Sequence, residues 1–261
     1  MNSFPIKTDE QGRTETKYVD DLTDADLNRL NDLLPWQCFT LDAKGRRFGK
    51  QASADKRNLP QQIPDRRIVD LNQRMPLQGM SVLEVGCFEG IHTIALAGYG
   101  AKVTAIDSRI ENVAKTIVRI WSFGLDATVL KCDVEQGEDF DKVPEVDITH
   151  HVGVLYHLVD PITHLNKVLA RTRRAILVDT HYAAVEETSR TYQAAGETYA
   201  YKYFSEGGRE AAFAGMYDHA KWLSLDTLVS VFKKNNFHNV DVLELRDERN
   251  GPRVLLFASR P

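Results

Sequence analysis

The residues best suited to chemistry lie in residues 81–107, which read SVLEVGCFEGIHTIALAGYGAKVTAID. The apolar run ending at Val85 predicts a buried strand, and Gly86 and Gly90 allow a sharp turn that a ligand can approach closely. The helix that follows would direct its free amides and positive dipole end at that ligand. Asp107 stands about 20 residues beyond the turn, where an acid can accept hydrogen bonds from two ribose hydroxyls. A strand, a glycine turn, a helix and a second strand that ends in an acid follow one another in the expected order. This order favours an adenosine site over an ordinary strand-turn-helix.

The spacing of the glycines separates two classes of cofactor. A dinucleotide site uses G-x-G-x-x-G to admit a pyrophosphate, whereas this turn has Glu84, Gly86, Phe88 and Gly90 at alternate positions. The pattern resembles the first motif of class I S-adenosylmethionine (SAM) methyltransferases, acid-x-Gly-x-Gly-x-Gly, with Phe88 at the middle glycine. The resemblance implies that SAM is the cofactor.

Composition favours a soluble enzyme. The chain has 261 residues, 33 basic against 37 acidic residues and a formal charge of −4, so no overall charge attracts nucleic acid or membrane. No apolar run approaches the roughly 18 residues of a membrane-spanning helix, and the N-terminus lacks a secretory signal. The three cysteines, Cys38, Cys87 and Cys132, are unevenly spaced. We therefore expect a cytoplasmic protein.

Strand and helix patterns alternate after residue 80, which predicts an α/β fold with a parallel sheet covered on both faces. Strands are predicted at 82–85, 102–106, 127–130, 146–149 and 175–179. Helices are predicted at 110–121, 161–169 and 225–234. Segments 240–245 and 253–258 form a hairpin around Asn250-Gly251. With the resemblance, this predicts the Rossmann-like class I methyltransferase sheet: seven strands, mostly parallel, ending in an antiparallel hairpin.

The remaining segments predict additions to that core. Residues 1–78 are interpreted as an N-terminal extension and helical cap, in which Thr23 caps a helix whose Leu27, Leu30, Leu33 and Leu34 share one face. Residues 79–261 form the SAM-binding core. Within it, residues 181–220 form an insertion after the fifth strand, and we expect helical segments there because long structureless loops are uncommon.

Further cofactor contacts follow from position at the strand ends. Asp133 follows the third strand and can accept the adenine amino group, with Cys132 and Val134 beside the ring, although a plain loop acid is the alternative. Arg109 and Ile110 could cover the other adenine face, and Ile110 is equally well explained as helix core. The predicted cofactor contacts are Glu84, Gly86, Cys87, Phe88, Gly90, Asp107, Ser108, Asp133, Val134, Val152 and Gly153.

Three side chains are candidates for catalysis. Tyr156 and His157 lie beyond the fourth strand, where a substrate nucleophile would meet the methyl group, and His181 follows the fifth strand. His157 is the first candidate for a general base, because imidazole titrates near neutral pH, and a histidine that only hydrogen-bonds a loop is an equal alternative. His219 is a third choice. A metal site could be formed by Asp160, Asp179 and His181. Their spacing does not require one, and we expect no metal.

A narrower resemblance rests on three segments: LLPWQCFTLDAKGRRFGK (33–50), LEVGCFEGIHT (83–93) and GVLYHLVDPITHL (153–165). Together they resemble the tRNA wobble-uridine 5-oxyacetate methyltransferase-like family, in which Phe88 is a family trait. The tRNA-modifying members transfer a carboxymethyl group and use a lysine, a tyrosine and an arginine for the extra carboxylate. Lys50 or Lys56 and Tyr156 are the candidates here, and no arginine is assigned. Other relatives act on small molecules such as sugars and natural-product intermediates.

Three functions are therefore compared. The first is methyl transfer by in-line displacement to a hydroxyl, or less readily an amine, of a small molecule. The second is tRNA modification, for which the cap offers a basic cluster that is also explained as a solvated loop or a substrate phosphate site. The third is a non-catalytic subunit that keeps the cofactor fold for a partner. The cluster comprises Lys44, Arg46, Arg47, Lys50, Lys56 and Arg57.

Overall fold

The computed structural model describes residues 4–50 and 58–261. The chain divides into two compact units, residues 1–131 and 132–261. Seven strands belong to one mixed sheet, and the predicted mostly parallel sheet with a terminal antiparallel hairpin is confirmed. The separation of a cap at 1–78 from a core at 79–261 stays a prediction. In the described ranges, no helix has the length and apolar character needed to cross a bilayer.

The first unit carries the glycine turn between the first two strands of its parallel sheet. Its elements are α1 (Asp24–Leu33), β1 (Phe39–Leu41), β2 (Arg47–Gly49), α2 (Arg66–Arg74), β3 (Ser81–Val85), α3 (Ile91–Gly98), β4 (Lys102–Asp107), α4 (Ile110–Phe123) and β5 (Thr128–Lys131). Strands β3, β4 and β5 are parallel neighbours in that order, and β1 and β2 form a separate antiparallel pair.

The ends of these helices follow local sequence. The Thr23 side chain accepts a hydrogen bond from the Asp26 amide at the start of α1, as predicted. Gly124 ends α4 in the left-handed conformation, which glycine adopts without the steric cost of a Cβ. Leu33, in contrast, is 68% exposed, so its predicted place on the buried face of α1 is wrong. Ile110 is 57% exposed, and its interpretation as helix core is also wrong.

The second unit begins with α5 and contains the remaining strands of the sheet. Its elements are α5 (Gly137–Phe140), β6 (Val146–Val152), α6 (Pro161–Arg171), β7 (Thr172–His181), β8 (Arg190–Ala194), β9 (Glu197–Ser205), β10 (His219–Trp222), α7 (Leu225–Lys234), β11 (Asn239–Glu248) and β12 (Gly251–Ser259). Strand β6 pairs in parallel with β7, β12 pairs antiparallel with β7, and β11 pairs antiparallel with β12. Strands β6 and β7 extend past their predicted ends, so His150 and His181 are strand residues.

The segment after β7 corrects the sequence interpretation. We expected helical segments in residues 181–220, but β8, β9 and β10 form a three-stranded antiparallel sheet there. A short 3-10 turn, Val185–Glu187, is the helical part of this segment in the structure. The physical reason lies in β9, where Tyr199, Tyr201 and Tyr203 recur at every second residue, the period of a strand rather than a helix. Ala195 and Gly196, both at positive φ, form the turn between β8 and β9.

A single carboxylate ties the glycine turn of the first unit to the segment before β1. Glu89 is fully buried, and its carboxylate accepts hydrogen bonds from the amides of Gln37 and Cys38 at 2.7 and 3.0 Å. Lys115 Nζ on α4 donates to it at 2.9 Å. Arg119 donates from Nε to the Glu89 carbonyl at 2.7 Å. The turn, the entry segment and α4 are therefore held by one residue.

The second unit contains a buried pair of imidazoles. His151 on β6 and His164 on α6 are almost fully buried, and their Nε2 atoms are 2.7 Å apart. Burial lowers the pKa of His151 to about 4. Burial and the neighbouring His151 lower the pKa of His164 well below its usual range. Both rings are therefore neutral in the folded protein near neutral pH.

We predict that the free energy of unfolding falls as the pH drops from about 6.5 toward 4. A histidine in the unfolded chain has a pKa near 6.5. Between about pH 6.5 and 4 the unfolded chain therefore binds protons that the buried pair of the folded protein does not bind. The contribution of the neutral pair to the free energy of unfolding is complete above pH 6.5. It decreases below that pH by about 1.4 kcal/mol per pH unit for each proton that only the unfolded chain binds. Urea unfolding over a pH series measures this slope.

A control separates the pair from other titrating groups. Replacing both His151 and His164 by leucine should flatten the slope, whereas His238→Gln, at an exposed histidine, should leave it unchanged. An equal slope in the leucine variant and the wild type would contradict the assignment.

Candidate active site

The glycine turn between β3 and α3 has three residues in the left-handed region. Gly86, Phe88 and Gly90 have φ of 74°, 51° and 80°. The left-handed region explains why glycine suits these positions, and Phe88 occupies the same region at a steric cost of about 1–2 kcal/mol. A Cβ on Gly90 would lie 3.1 Å from the Thr116 Cα, so the turn packs tightly on α4.

Asp107 ends β4 and faces this turn. Its carboxylate accepts hydrogen bonds from the amides of Phe88 and Arg109, at 3.0 and 2.9 Å, and from Asn112 Nδ2 at 3.1 Å. Burial raises the pKa of Asp107, and these three hydrogen bonds act in the opposite direction. The carboxylate is thus oriented by the protein at the strand end, and Ser108, half-buried, follows it.

Glu84 and Cys87 lie on the buried side of the turn. Thr93 Oγ1 donates to Glu84 Oε2 at 2.6 Å, and burial raises the pKa of Glu84 to about 8. Thr116 Oγ1 donates to Cys87 Sγ at 3.3 Å, and burial raises the pKa of the Cys87 thiol. Cys87 is therefore an inert thiol, and Glu84 is a carboxyl group that a bound cation would help to ionise.

These residues fit the adenosyl and methionine parts of SAM. Asp107 is a preoriented acceptor for hydroxyl groups. Glu84 is a buried carboxyl suited to an ammonium group. Gly90 is the N-cap of α3 and contributes no side-chain cap, so the first amides of the helix can donate to a ligand.

In the second unit, Asp133 comes two residues after the end of β5, and Gly153 directly follows β6. Asp133 is 8% exposed, and its Oδ1 accepts from the Glu135 amide at 3.1 Å, while Oδ2 has no hydrogen-bond partner in the described part of the chain. Val134 is half-buried beside it. Gly153, with φ of 78°, donates its amide to the Asp179 carbonyl at 3.0 Å.

The structure brings Tyr156, His157 and His181 together around an aromatic cluster. The Tyr156 ring lies 4.1 Å from the His157 ring and 4.8 Å from the His181 ring, measured between centroids. His181 stacks on Trp222 at 4.8 Å, and Trp222 Nε1 donates to the Tyr156 carbonyl at 2.8 Å. A Cβ on Gly153 would be 3.9 Å from the Tyr156 hydroxyl, so the end of β6 adjoins this group.

The two histidines differ in what their ring nitrogens contact. His157 Nδ1 is 2.7 Å from Glu206 Oε1, and its Nε2 has no hydrogen-bond partner among residues 4–50 and 58–261. His181 Nδ1 is 3.1 Å from the Pro252 carbonyl, and its Nε2 is 3.7 Å from Glu248 Oε2. Burial lowers the pKa of His181. His157 is 17% exposed at its side chain and His181 only 3%, so His157 is the more accessible base.

A buried charge network underlies Tyr156. Asp179 is fully buried and accepts two hydrogen bonds from Arg246 Nη2, at 3.0 and 2.8 Å, and one from Arg253 Nε. The Arg253 guanidinium lies 5.1 Å from the centre of the Tyr156 ring, and its Nη1 is 3.3 Å from Glu248 Oε2. Burial raises the pKa of Tyr156, which therefore stays a neutral phenol.

The sequence did not indicate Glu206 or Arg253 as site residues. Arg253 has a weak signal, because it lies on a predicted hairpin strand whose position in the sheet could be anticipated. Glu206 has no comparable signal, since it follows a strand within the segment that we expected to be partly helical.

The residues considered for a metal are used in other ways. Asp160 Oδ1 caps α6 by accepting from the Thr163 amide at 3.1 Å. Asp179 is bound by two arginines, and His181 contacts the Pro252 carbonyl.

The basic cluster of the cap is largely occupied by the protein itself. Arg46 donates to Asp42 at 2.7 Å and to Asp24 at 2.9 Å. Lys44 donates to the Asp20 carbonyl at 2.5 Å. The Arg47 guanidinium lies 4.1 Å from the centre of the Phe39 ring. Lys56 and Arg57 lie outside the described residues, and a role for Lys50 in binding an extra carboxylate stays a prediction.

Comparison with known proteins adds two kinds of relative. The tRNA U34 carboxymethyltransferase of Photobacterium profundum is 27% identical over 177 residues, which are 65% of this chain and 51% of that protein. The ubiquinone biosynthesis O-methyltransferase of Xylella fastidiosa is 32% identical over 106 residues, 39% of this chain and 43% of that protein. The chain thus spans about half the length of these curated relatives.

Solved structures share the fold. The N-terminal domain of EvdMO1 with SAH (S-adenosylhomocysteine) bound has a TM-score of 0.76 and 23% identity, covering 94% of this chain and all of that domain. The same domain in the presence of SAH and D-fucose has a TM-score of 0.73, with 92% and 98% coverage. A family profile described as a methyltransferase domain matches residues 57–242. The chain therefore belongs to the methyltransferase domain family.

Proposed function

We propose that this enzyme methylates a hydroxyl group of a small molecule, such as a sugar or a natural-product intermediate. The observation that supports this proposal most strongly is the environment of His157, which lies in the loop that follows β6. Its imidazole is partly exposed, and its Nε2 has no hydrogen-bond partner in the described ranges. A neutral imidazole with a free ring nitrogen can accept a proton from a hydroxyl group near neutral pH. An amine acceptor stays the lesser option.

The residues of the first unit would hold the donor. Asp107 would accept hydrogen bonds from the ribose hydroxyls, and the backbone of residues 86–90 would lie against the methionine part. In the second unit, the contacts of Asp133 with the adenine amino group and of the Val152 and Gly153 backbone with the methionine part stay predictions. When bound, SAM supplies an activated methyl group, so the protein's task is to orient the acceptor and remove its proton.

At the acceptor, His157 would receive the hydroxyl proton at Nε2. Tyr156, kept neutral by burial, would donate a hydrogen bond to an acceptor oxygen. His181 is the second candidate for the base, and the low exposure of its side chain makes it the weaker one.

Two observations favour a small molecule over tRNA. Arg46 of the cap is engaged by two acids and Lys44 by a backbone carbonyl of the same unit, and the net charge is −4. Binding of RNA is usually driven by free basic side chains that neutralise phosphates. The relatives also include ubiquinone biosynthesis O-methyltransferases and a domain studied with D-fucose, and tRNA modification is retained as the second candidate because of the first relative.

We further propose a cytoplasmic location, which the three buried cysteines, present as thiols rather than disulfides, favour. The third candidate, a non-catalytic subunit, is disfavoured by the accessible imidazole, because a scaffold has no need of one.

The proposed function is tested by incubating the protein with SAM and a panel of 6-deoxyhexoses, phenols and bulk tRNA. We expect SAH release and a mass gain of one methyl group with a hydroxylated small molecule. Salt-sensitive tRNA binding with modification of the tRNA would favour the second candidate, and SAM binding without turnover on any acceptor would favour the third.

We predict that Asp107→Asn weakens SAH binding by about 10- to 100-fold in calorimetry. Hydrogen bonds to a charged group contribute about 1.5–3 kcal/mol each, and the amide can accept fewer of them. The matched control is Asp126→Asn, an exposed acid before β5, which should bind like the wild type. Wild-type affinity in Asp107→Asn, with unchanged thermal unfolding, would contradict the role of Asp107.

We predict that His157→Gln lowers kcat by about 10²-fold or more without changing SAH affinity, because general bases contribute about 10²- to 10⁴-fold. His238→Gln, at an exposed histidine that is not a candidate base, serves as the control. An unchanged kcat in His157→Gln would remove His157 as the base and direct the same test to His181.

A further inference from the structure

The second unit places a buried carboxylate directly behind the imidazole that the proposed mechanism uses. Glu206 lies just beyond β9, and its side chain is 4% exposed, whereas that of His157 is 17% exposed. Glu206 Oε1 is 2.7 Å from His157 Nδ1. This is the distance of a strong, charge-assisted hydrogen bond between an imidazole N–H and a carboxylate.

Glu206 is itself held in place by the loop that follows it. Its Oε2 accepts a hydrogen bond from the Gly215 amide at 3.2 Å, and its own amide donates to the Asp218 carbonyl at 2.8 Å. Gly215 packs against the backbone of His157, since a Cβ there would lie 2.4 Å from the His157 carbonyl oxygen. The loop therefore packs against His157 and holds the Glu206 carboxylate in a fixed orientation.

The other side of the imidazole is fixed by packing. The Tyr156 ring lies 4.1 Å from the His157 ring, tilted by 44°, and Tyr156 is in turn in edge contact with His181 at 4.8 Å. Rotation of the imidazole would break the bond to Glu206 and displace this packing. Two independent contacts thus set the direction in which Nε2 points.

From this geometry we infer that Glu206 is the positioning residue of His157. By accepting from Nδ1, it keeps the proton on that nitrogen and leaves Nε2 as a lone-pair acceptor. The inference rests on the proposed function. It assigns to residues 206–218 the role of orienting the imidazole of His157 as the general base. Proton transfer to Nε2 would create an imidazolium whose charge Glu206 balances at 2.7 Å.

The proposed methyl transfer balances in atoms and electrons. The hydroxyl oxygen of the acceptor forms a bond to the methyl carbon, the O–H bond breaks and its proton passes to Nε2, and the carbon–sulfur electron pair stays on the sulfur of SAH. No oxidant, reductant or further reactant is required. Glu206 would act through His157 rather than on the acceptor or the donor.

The tautomer of His157 tests this inference directly and without a substrate. In ¹⁵N-labelled protein with SAH, we expect the neutral form of His157 to carry its proton on Nδ1 and to leave Nε2 unprotonated. Glu206→Ala should shift the ¹⁵N signals toward the mixture of tautomers found in free imidazole. Glu210→Gln, an exposed acid in the same loop, is the control and should keep the wild-type signals.

Kinetics provide the second readout once an acceptor is known. Glu206→Gln should lower kcat by about 10- to 100-fold with KM for the acceptor within about threefold of wild type, and Glu206→Asp should recover part of the loss. A wild-type protein with the proton on Nε2, or wild-type ¹⁵N signals in a folded Glu206→Ala variant, would overturn the inference. Absence of methyl transfer with the expected tautomer would count against the proposed function alone.

Discussion

The turn of the proposed donor site depends on the buried carboxylate of Glu89. Removing one partner from a buried ionic cluster costs about 3–5 kcal/mol, because the remaining charge loses its compensation. Here that carboxylate accepts from two backbone amides and from Lys115. The same residue stands within the turn whose neighbours take left-handed conformations. The turn that faces Asp107 and the segment leading into β1 are consequently fixed by one interaction, and α4 supplies the cations that make the buried charge tolerable.

The acceptor side depends on a different kind of constraint. Strands β6 and β7 bring Gly153 and Asp179 to their carboxyl ends, where the ligands of parallel sheets bind. The three-stranded sheet of the insertion then adds Trp222 and the loop that holds Glu206. Methyl transfer needs little chemistry from the protein beyond alignment and removal of one proton. In the proposed reaction, the parallel sheet would position the donor and the segment that contains β8, β9 and β10 would surround the acceptor.

Sequence patterns predicted the parts of the fold that depend on local periodicity and glycine. The strands on either side of the turn before Asp107 and the terminal hairpin follow from such patterns, the number of seven strands follows from the family resemblance, and all are confirmed. The prediction of helices in residues 181–220 is wrong. It rests on the length of this segment, whereas the alternating tyrosines of β9 have the period of a strand. The pairing of His157 with Glu206 joins residues 49 positions apart, and no pattern in one sequence specifies such a contact. The roles of the site residues stay predictions, since they concern ligands rather than the fold.

The dependence on Glu89 is tested most directly by measuring SAH affinity and backbone amide exchange in Glu89→Gln, with Glu111→Gln on α4 as the matched control. The account predicts at least a tenfold loss of affinity, together with faster exchange both in residues 36–40 and in the turn at 86–90. Glu111→Gln should match the wild type in both measurements. Wild-type affinity and wild-type exchange in Glu89→Gln would show that the donor site does not depend on this carboxylate.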